Sequence, residues 1–158
     1  MAGETLSEAL EREHREVDQG TERFMSSPRD DSQVAALAQA IEQLRRHIYV
    51  EEEFLFPPLG KGGMVAPLFV MVREHAEIWR VLDRLAAGLS NRTDPASTLT
   101  ACHDLMVRLG SHNSKEEPIV YAQANSLLSE PEVTRIRERL ETAQMPEGWV
   151  CQGVRART

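Results

Sequence analysis

Four segments of the sequence repeat apolar residues at intervals of three and four, which is the period of an α-helix. Each segment carries a histidine inside its apolar stripe: His14, His47, His75 and His112. Glu51 and Glu116 follow two of these histidines by four residues, so each pair shares one helical face. An unpaired buried carboxylate is very costly. The pattern therefore requires helices whose shared core contains something that compensates these polar side chains.

The composition fits one helical domain. The chain has 158 residues, enough to bury a substantial core, and 41% of them are hydrophobic. Aromatic residues make up only 5%, and alternating runs of β-branched residues are missing, which argues against a sheet protein. We therefore predict an all-α protein.

Helix start and stop signals divide the chain into four long helices and one short helix. Thr5 opens the first helix with a capping box, and the second helix is predicted to stop at the two prolines of residues 57–58. Asp94 is the predicted N-cap of the fourth helix, and Ser129 that of the shorter fifth. Short connections predict an antiparallel, up-down-up-down four-helix bundle with a short fifth C-terminal helix. We assign residues 1–145 to this domain and residues 146–158, which show no clear period, to a C-terminal tail.

The sequence also repeats itself. The segment from His47 to Glu51 aligns with the segment from His112 to Glu116, 65 positions later. Residues 12–17, Arg-Glu-His-Arg-Glu-Val, align with residues 73–78, Arg-Glu-His-Ala-Glu-Ile, 61 positions later. Two similar helix hairpins imply a pseudo-two-fold axis, and a site on this axis would receive two histidines and one glutamate from each half. This symmetry suits two metal ions side by side.

The predicted ligands have the number and types that a two-metal centre needs. Residues four apart on a helix lie about 6 Å apart along the axis and about 40° apart around it, so a His-x-x-x-Glu pair can reach one centre. With four imidazoles, two bridging carboxylates and one oxo or hydroxo bridge, each metal would still keep an open position. Imidazole suits iron, copper or zinc, and mixed sites with open positions suit iron chemistry. The predicted metal ligands are His14, His47, Glu51, His75, His112 and Glu116.

The sequence resembles the hemerythrin-like, or HHE cation-binding, family of di-iron four-helix bundles. The resemblance covers roughly residues 5–125 and rests on four motifs in order: His14, His47-xxx-Glu51-Glu52, His75 and His112-xxx-Glu116-Glu117. It implies two iron ions joined by an oxo or hydroxo bridge. It also implies a role that involves O2, NO or peroxide.

Two positions differ from the oxygen-carrying hemerythrins. Those carriers have a further histidine where this chain has Trp79, and an aspartate where it has Glu117. The site therefore has four candidate histidines rather than five, and the resemblance does not extend to reversible O2 carriage. A ferritin-like site is also disfavoured, because that bundle uses Glu-x-x-His and additional glutamates.

Three functional hypotheses are compatible with these residues. The leading one is a hemerythrin-like di-iron protein that binds or senses O2, NO or peroxide, or iron itself. The alternative is a small di-iron oxidoreductase that consumes peroxide or NO. A zinc or mixed-metal structural bundle without redox chemistry is a weaker alternative. Whether the protein is an enzyme, and its oligomeric state, stay open at this point.

Charge and targeting signals narrow the partners and the compartment. The formal net charge is −7 and the basic residues form no stripe, which argues against nucleic acid. Residues 1–4 lead directly into a charged helical pattern without the features of a signal peptide. The longest mainly apolar stretch, Met64 to Val72, is far shorter than the ~20 residues that span a bilayer. Cys102 and Cys151 form no CxxC pair, and two lone cysteines suggest a reducing compartment without disulfides. We therefore expect a cytoplasmic protein. From the charge and the short apolar stretch, we expect neither nucleic acid nor a membrane as a partner.

Several residues beside the predicted ligands could serve either the surface or the site. The glutamates that flank the ligands are expected mainly on solvated faces, with hydrogen bonds to ligand histidines as the alternative: Glu13, Glu52, Glu74 and Glu117. Asp18 fits a solvated edge and a hydrogen bond to His14 equally well. Tyr49 and Tyr121 are expected to pack at helix ends, with a hydrogen bond into the site as the alternative.

Four further positions have simpler expectations. Trp79 should fill the core and could wall one side of the site, and Cys102 should be a small core residue. His103 lies about half a turn away from the stripe and should point outward. Pro118 removes a helical hydrogen bond two residues after Glu116 and should kink or widen the fourth helix there.

Overall fold

A computed structural model describes residues 3–91 and 94–156, and within these ranges the protein is helical without any β-strand. The helices in chain order are α1 (Leu6–Ser26), α2 (Asp31–Val50), α3 (Phe56–Lys61), α4 (Val65–Ser90), α5 (Pro95–Lys115), α6 (Ala122–Leu127), α7 (Glu130–Thr142) and α8 (Gln152–Arg155). Two π-helical segments, π1 (Glu51–Leu55) and π2 (Glu116–Tyr121), follow α2 and α5 without a break. The predicted all-α class is confirmed.

Predicted caps begin three of the helices. The Thr5 hydroxyl accepts a hydrogen bond from the Glu8 N–H at 3.2 Å, and the Glu8 carboxylate accepts one from the Thr5 N–H at 2.7 Å. Ser129 forms the same reciprocal capping box at the start of α7. The Asp94 carboxylate accepts from the Ala96 N–H at the start of α5. These bonds satisfy backbone donors that a helix start leaves without partners.

The prediction that the second helix stops at Pro57 and Pro58 is wrong. The helical path continues through π1 into α3 and ends only at Lys61. The two prolines lie in the first turn of α3. Missing N–H groups cost little there. The chain then reverses at Gly63, whose φ of 104° lies in the left-handed region that favours glycine.

The long helices pack pairwise. α1 lies along α2 and α4 along α5, while α2 also contacts α4 and α1 contacts α5. This arrangement is consistent with the predicted four-helix bundle. Two apolar clusters fill its interior, one containing Leu10 and Val50 and the other Val17 and Leu44. His14 lies between Leu10 and Val17 along α1, so the predicted site falls where the two clusters meet.

The segment after Pro146 packs against the helices. The Trp149 ring lies 5.5 Å from that of Trp79, and α8 contacts α4. A Cβ added at Gly153 would lie 2.7 Å from the Ala76 Cβ, so α8 approaches α4 closely. The predicted C-terminal tail therefore contributes to the core.

Two simpler predictions about α5 are confirmed. Cys102 is fully buried in the core and His103 is exposed. Among the described residues, no helix has both the length and the apolar character needed to cross a membrane.

Candidate metal centre

The structure brings all six predicted ligands together between the two apolar clusters. They form two groups that share Glu116: one of His14, His47, Glu51 and Glu116, and one of His75, His112 and Glu116. Within each group, one nitrogen or oxygen atom of every side chain lies within 4.8 Å of the others. Each of the six residues is 5% exposed or less. Four helical segments therefore direct polar atoms at one small, buried volume.

Each of the two carboxylates faces both groups. Glu51 Oε2 lies 3.4 Å from His47 Nε2, and Glu51 Oε1 lies 3.3 Å from His75 Nε2. Glu116 repeats this arrangement at 3.3 Å, with Oε1 toward the histidine of α1 and Oε2 toward the histidine of α5. A carboxylate that presents one oxygen to each group is placed to bridge two cations.

Both carboxylates stand at the first residue of a π-helical segment. The predicted irregularity at Pro118 is confirmed, because π2 surrounds it and the proline has no N–H for the helical ladder. π1 is a second wide turn that the sequence analysis did not predict. It contains no proline, although Pro57 and Pro58 follow after Phe56. The 65-residue repeat was the sequence signal that could have linked the two turns.

Each of the four histidines pairs through Nδ1 with another glutamate. The distances are 3.0 Å for His14–Glu117, 2.9 Å for His47–Glu13, 2.7 Å for His75–Glu52 and 3.0 Å for His112–Glu74. A carboxylate on Nδ1 fixes the ring orientation and leaves Nε2 to face a metal. The expectation that these glutamates lie mainly on solvated faces is therefore wrong.

These outer pairings follow the two offsets of the sequence repeat. Glu13 and Glu74 immediately precede the histidines of α1 and α4, and each pairs with the histidine of the next long helix. Glu52 and Glu117 immediately follow the two carboxylates that face both groups, and they reach the histidines of α4 and α1. Every outer glutamate thus connects two helices, which is why a single-helix pattern did not reveal its role.

Further groups hold three of the outer glutamates in place. Arg46 donates to Glu13 Oε2 at 3.0 Å, and the Lys115 ammonium pairs with the outer glutamate of α4. The backbone N–H of Gln152 donates to Glu52 Oε1 at 2.8 Å. The C-terminal segment therefore reaches the site through one carboxylate.

Tyr121, the last residue of π2, is the site residue that the sequence analysis undervalued. Its hydroxyl donates to Glu51 Oε2 at 2.6 Å and lies 3.0 Å from Glu116 Oε1. It also lies 3.1 Å from Nε2 of both His14 and His47. The phenol therefore touches every member of the first group. Burial, together with the negative charges of Glu116 and Glu51, raises the pKa of Tyr121 well above its usual range.

The space between the two groups differs, because buried polar atoms from both groups face one another there without hydrogen-bond geometry. Three buried atoms have no hydrogen-bond partner among the residues that the structure describes: Glu51 Oε1, His75 Nε2 and Glu116 Oε2. Unpaired buried polar atoms are costly, and one cation among them would be a partner for all three. Imidazole nitrogen and carboxylate oxygen together suit iron. The residues therefore fit a metal ion.

Neighbouring opposite charges shift the pKa values of Glu116 and His75 more than burial does, and in the opposite direction. Burial alone would raise the pKa of Glu116, but the charge of His112 and hydrogen bonds from neighbouring histidines hold it well below its usual range. Burial alone would lower the pKa of His75, but the adjacent Glu51 and Glu52 carboxylates raise it to about 10. Glu116 is thus kept ionised, which is the state in which a carboxylate binds a cation, whereas His75 would have to lose a proton for its Nε2 to do so.

The remaining neighbours lie outside the cluster. Asp18 is half-buried on α1, but the histidine of α1 pairs with Glu117 instead. The Tyr49 ring packs edge-on against Trp149 at 5.1 Å. Trp79 is buried in the core, as predicted, with the Arg45 guanidinium 4.8 Å from its ring centroid.

Comparison with known families agrees with this geometry. The sequence model of the family described as "Hemerythrin HHE cation binding domain" matches residues 5–124. The chain belongs to the hemerythrin HHE cation-binding family. The matched range includes both π-helical segments and all the candidate ligands. The resemblance drawn from the motifs is thereby confirmed, and the family together with the His/Glu cluster identifies an HHE metal-binding protein.

Curated relatives of this HHE protein include proteins from Yersinia. The chain is 30% identical over 100 residues to the iron-sulfur cluster repair protein YtfE of Yersinia pestis (strain Pestoides F). It is equally similar to YtfE of Yersinia pseudotuberculosis serotype O:1b (strain IP 31758). The match covers 57% of this chain and 45% of each relative, so the chain spans about half the length of these proteins. No solved structure gives a significant match.

Proposed function

We propose that this HHE protein holds two iron ions and binds or senses a small ligand of the O2, NO or peroxide class. One ion would be held by His14, His47 and the two shared carboxylates, and the other by His75, His112 and the same carboxylates. The observation that carries this proposal is that Glu51 and Glu116 each present one oxygen to either group. When bound, iron would supply redox and Lewis-acid chemistry.

The surrounding protein supports the proposed site in three ways. The four outer glutamates orient the histidine rings. The apolar clusters on either side exclude water from the centre. Tyr121 provides a phenol that touches the ligands of the first ion, and we include it among the residues that position that ion. Its hydroxyl can also hold a proton next to both carboxylates.

The proposal includes the architecture and the compartment predicted from the sequence. We infer an antiparallel up-down-up-down bundle, with residues 1–145 as the metal-binding domain and residues 146–158 as a C-terminal tail. A cytoplasmic location remains part of the proposal, because Cys102 and Cys151 are both free thiols in the structure.

A second candidate function is a small oxidoreductase that consumes peroxide or NO. The buried phenol of Tyr121 favours it, because a protonated group within 3.1 Å of two histidines and two glutamates could deliver a proton to a reacting ligand. The similarity to YtfE adds iron-sulfur cluster repair as a further role for the same iron. A zinc or mixed-metal structural bundle would use the same side chains without redox chemistry.

Metal analysis combined with optical spectroscopy tests the proposal. Protein purified with iron available should contain two irons per chain and show near-ultraviolet charge-transfer bands of an oxo-bridged pair. Zinc in place of iron, with no such bands, would overturn the iron proposal. Two iron ions without a spectral response to O2, NO or peroxide would overturn the ligand-binding part.

Turnover separates the two functional candidates. Iron-loaded protein mixed with hydrogen peroxide should change its spectrum without sustained oxygen release if it binds or senses. Continuous oxygen release or NO loss, proportional to protein concentration, would instead support the oxidoreductase. The matched control is Glu116→Ala protein, which should show neither response.

A further inference from the structure

The C-terminal segment, residues 147–156, touches the candidate metal centre through one carboxylate. The backbone N–H of Gln152 donates to Glu52 Oε1 at 2.8 Å, and Glu52 Oε2 lies 2.7 Å from His75 Nδ1. His75 is a candidate ligand of the second group. Two consecutive hydrogen bonds therefore link this segment to a residue that would hold a metal ion.

The corresponding outer glutamate of the other half has no such support. Glu117 corresponds to Glu52 at the 65-residue offset. The Glu117 side chain is 35% exposed, and its one hydrogen bond among the described residues joins it to His14. The Glu52 side chain is 1% exposed, so water has little access to replace a donor that it loses. The segment thus gives one half of the centre a support that the sequence repeat does not provide.

Packing on both sides of Gln152 fixes the position of its N–H. Cys151 is fully buried in the core. On the other side, Gly153 has no side chain and lies so close to Ala76 that an added Cβ would be 2.7 Å from the Ala76 Cβ. Because Ala76 directly follows His75, α8 rests on the turn of α4 that carries the candidate ligand.

We infer that the C-terminal segment positions His75 for metal binding, with the Gln152 N–H holding the Glu52 carboxylate and this carboxylate holding the ring. A carboxylate on Nδ1 sets the direction of Nε2, the atom that would bind the metal. Loss of the Gln152 hydrogen bond lets the ring turn and weakens the retention of one ion, while the ion beside Tyr121 is held as before. This inference rests on the proposed two-metal centre and adds the segment to it.

The decisive variant is Gln152→Pro, which removes the N–H and little else. Position 152 is the first residue of α8, where a helix tolerates proline, and the preceding Cys151 is extended, with ψ at 155°. The Gln152 side chain is exposed, so its loss leaves no hole in the core. Gln152→Ala is the matched control, because alanine keeps the N–H.

Chelator competition against the iron-loaded protein would measure how tightly each ion is held. Gln152→Pro should release one ion at about a tenfold lower chelator concentration and hold the other unchanged, since losing a group that orients a metal ligand typically lowers affinity 10- to 100-fold. Gln152→Ala should match the parent. Equal loss of both ions would indicate general destabilisation and overturn the inference, as would unchanged retention of both.

A Glu52→Ala background tests whether the effect passes through this carboxylate. The N–H then has no acceptor, so adding Gln152→Pro should change the retention of neither ion. A further loss of about tenfold would contradict the inference.

Gly153→Ala disturbs the same hydrogen bond by a different route. Its added Cβ forces α8 away from α4, so one ion should again be lost selectively, and Ala76→Gly in the same chain should restore most of the retention. Gly110→Ala is the control, because a Cβ there meets nothing within 4 Å. If neither Gly153→Ala nor Gln152→Pro loses one ion selectively, the segment does not position His75.

The metal-free protein tests the first hydrogen bond without the proposed metals. Gln152→Pro should melt below Gln152→Ala by about 5 °C more with Glu52 present than in the Glu52→Ala background, because a buried carboxylate loses its donor. This comparison cancels the effect of proline on the unfolded chain. Equal differences in the two backgrounds would overturn the inference.

The parent protein separates this inference from the proposed function. A parent that holds fewer than two ions would refute the two-metal centre and this inference together. Two ions in the parent, held equally tightly by Gln152→Pro, would refute this inference alone.

Discussion

The two halves of the centre share their metal-ligand types but differ in one aromatic residue. Tyr121 closes the first half, with its hydroxyl against the carboxylates of Glu51 and Glu116. The counterpart of Tyr121, 65 positions earlier, is Phe56, whose ring stacks on His75 at 5.6 Å. The unpartnered His75 Nε2 belongs to the half that has the phenylalanine. The repeat thus gives two similar halves, and the phenol oxygen of Tyr121 is one difference between their environments.

This difference indicates a division of roles. The first half has a built-in polar neighbour that keeps its ligands hydrogen-bonded without a metal. The second half lacks such a neighbour, and a bound cation would be a partner for His75 Nε2 and the facing carboxylate oxygens. Substitutions that act on both halves, on one half or on neither should therefore differ in size in a fixed order.

The largest effect is expected for Glu116→Ala, because Glu116 faces both halves. Metal content should fall to about half or less, and the thermal stability of the iron-loaded protein should fall with it. Elemental analysis and a melting curve would measure both. Glu51→Ala should behave in the same way, while Glu22→Ala, at an exposed glutamate of α1, should not. Full retention of two metals would remove the substituted residue from the ligand set.

The next effect is expected for Tyr121→Phe, which makes the first half resemble the second. Without the hydroxyl, Glu51 Oε2 loses its donor at 2.6 Å, so the free energy of unfolding of the metal-free protein should fall by about 1–3 kcal/mol. Urea unfolding measures this quantity. Tyr49→Phe is the control, because the Tyr49 ring packs against Phe54 and Trp149 away from the centre. Equal stabilities of the two variants would show that the phenol does not distinguish the halves.

The importance of Tyr121 could not be predicted from helical spacing. Tyr121 follows Glu116 by five residues, and on an α-helix the two would point about 140° apart. The π-helical segment bonds residues five apart and brings both side chains to one face. The sequence predicts a kinked or widened helix at Pro118, but it does not determine which later residue rotates into the site.

The six candidate ligands were easier to place because each lies in an apolar stripe of its own helix. His14 and His75, for example, are each flanked by apolar residues at helical spacing, so their direction follows from their own helix alone. The role of Glu13 instead depends on which neighbouring helix faces it, since its carboxylate reaches His47 of α2. Contacts between helices were the part of the site that a single-helix pattern did not contain.

The outer glutamates allow a finer test of the two halves. Glu52→Gln should lower metal affinity about 10- to 100-fold, because Glu52 is buried and fixes the ring of His75. Glu117→Gln should have a smaller effect, because the Glu117 side chain is 35% exposed and water can replace part of its interaction with His14. Competition with a chelator measures both affinities. A larger loss for Glu117→Gln would mean that the half closed by Tyr121 depends more on its outer carboxylate.

The smallest effect is expected for His103→Ala, which acts on neither half. His103 lies on α5 beside the fully buried Cys102, but its own side chain is exposed. A surface substitution of this kind should change the free energy of unfolding by less than about 0.5 kcal/mol, and metal content should stay the same. Melting curves and elemental analysis of this variant provide the baseline for the other three. Metal loss in His103→Ala would mean that α5 is rotated relative to its position in the structure. The assignment of His112 and Glu116 as candidate ligands would then be wrong, because it depends on the orientation of α5 about its axis.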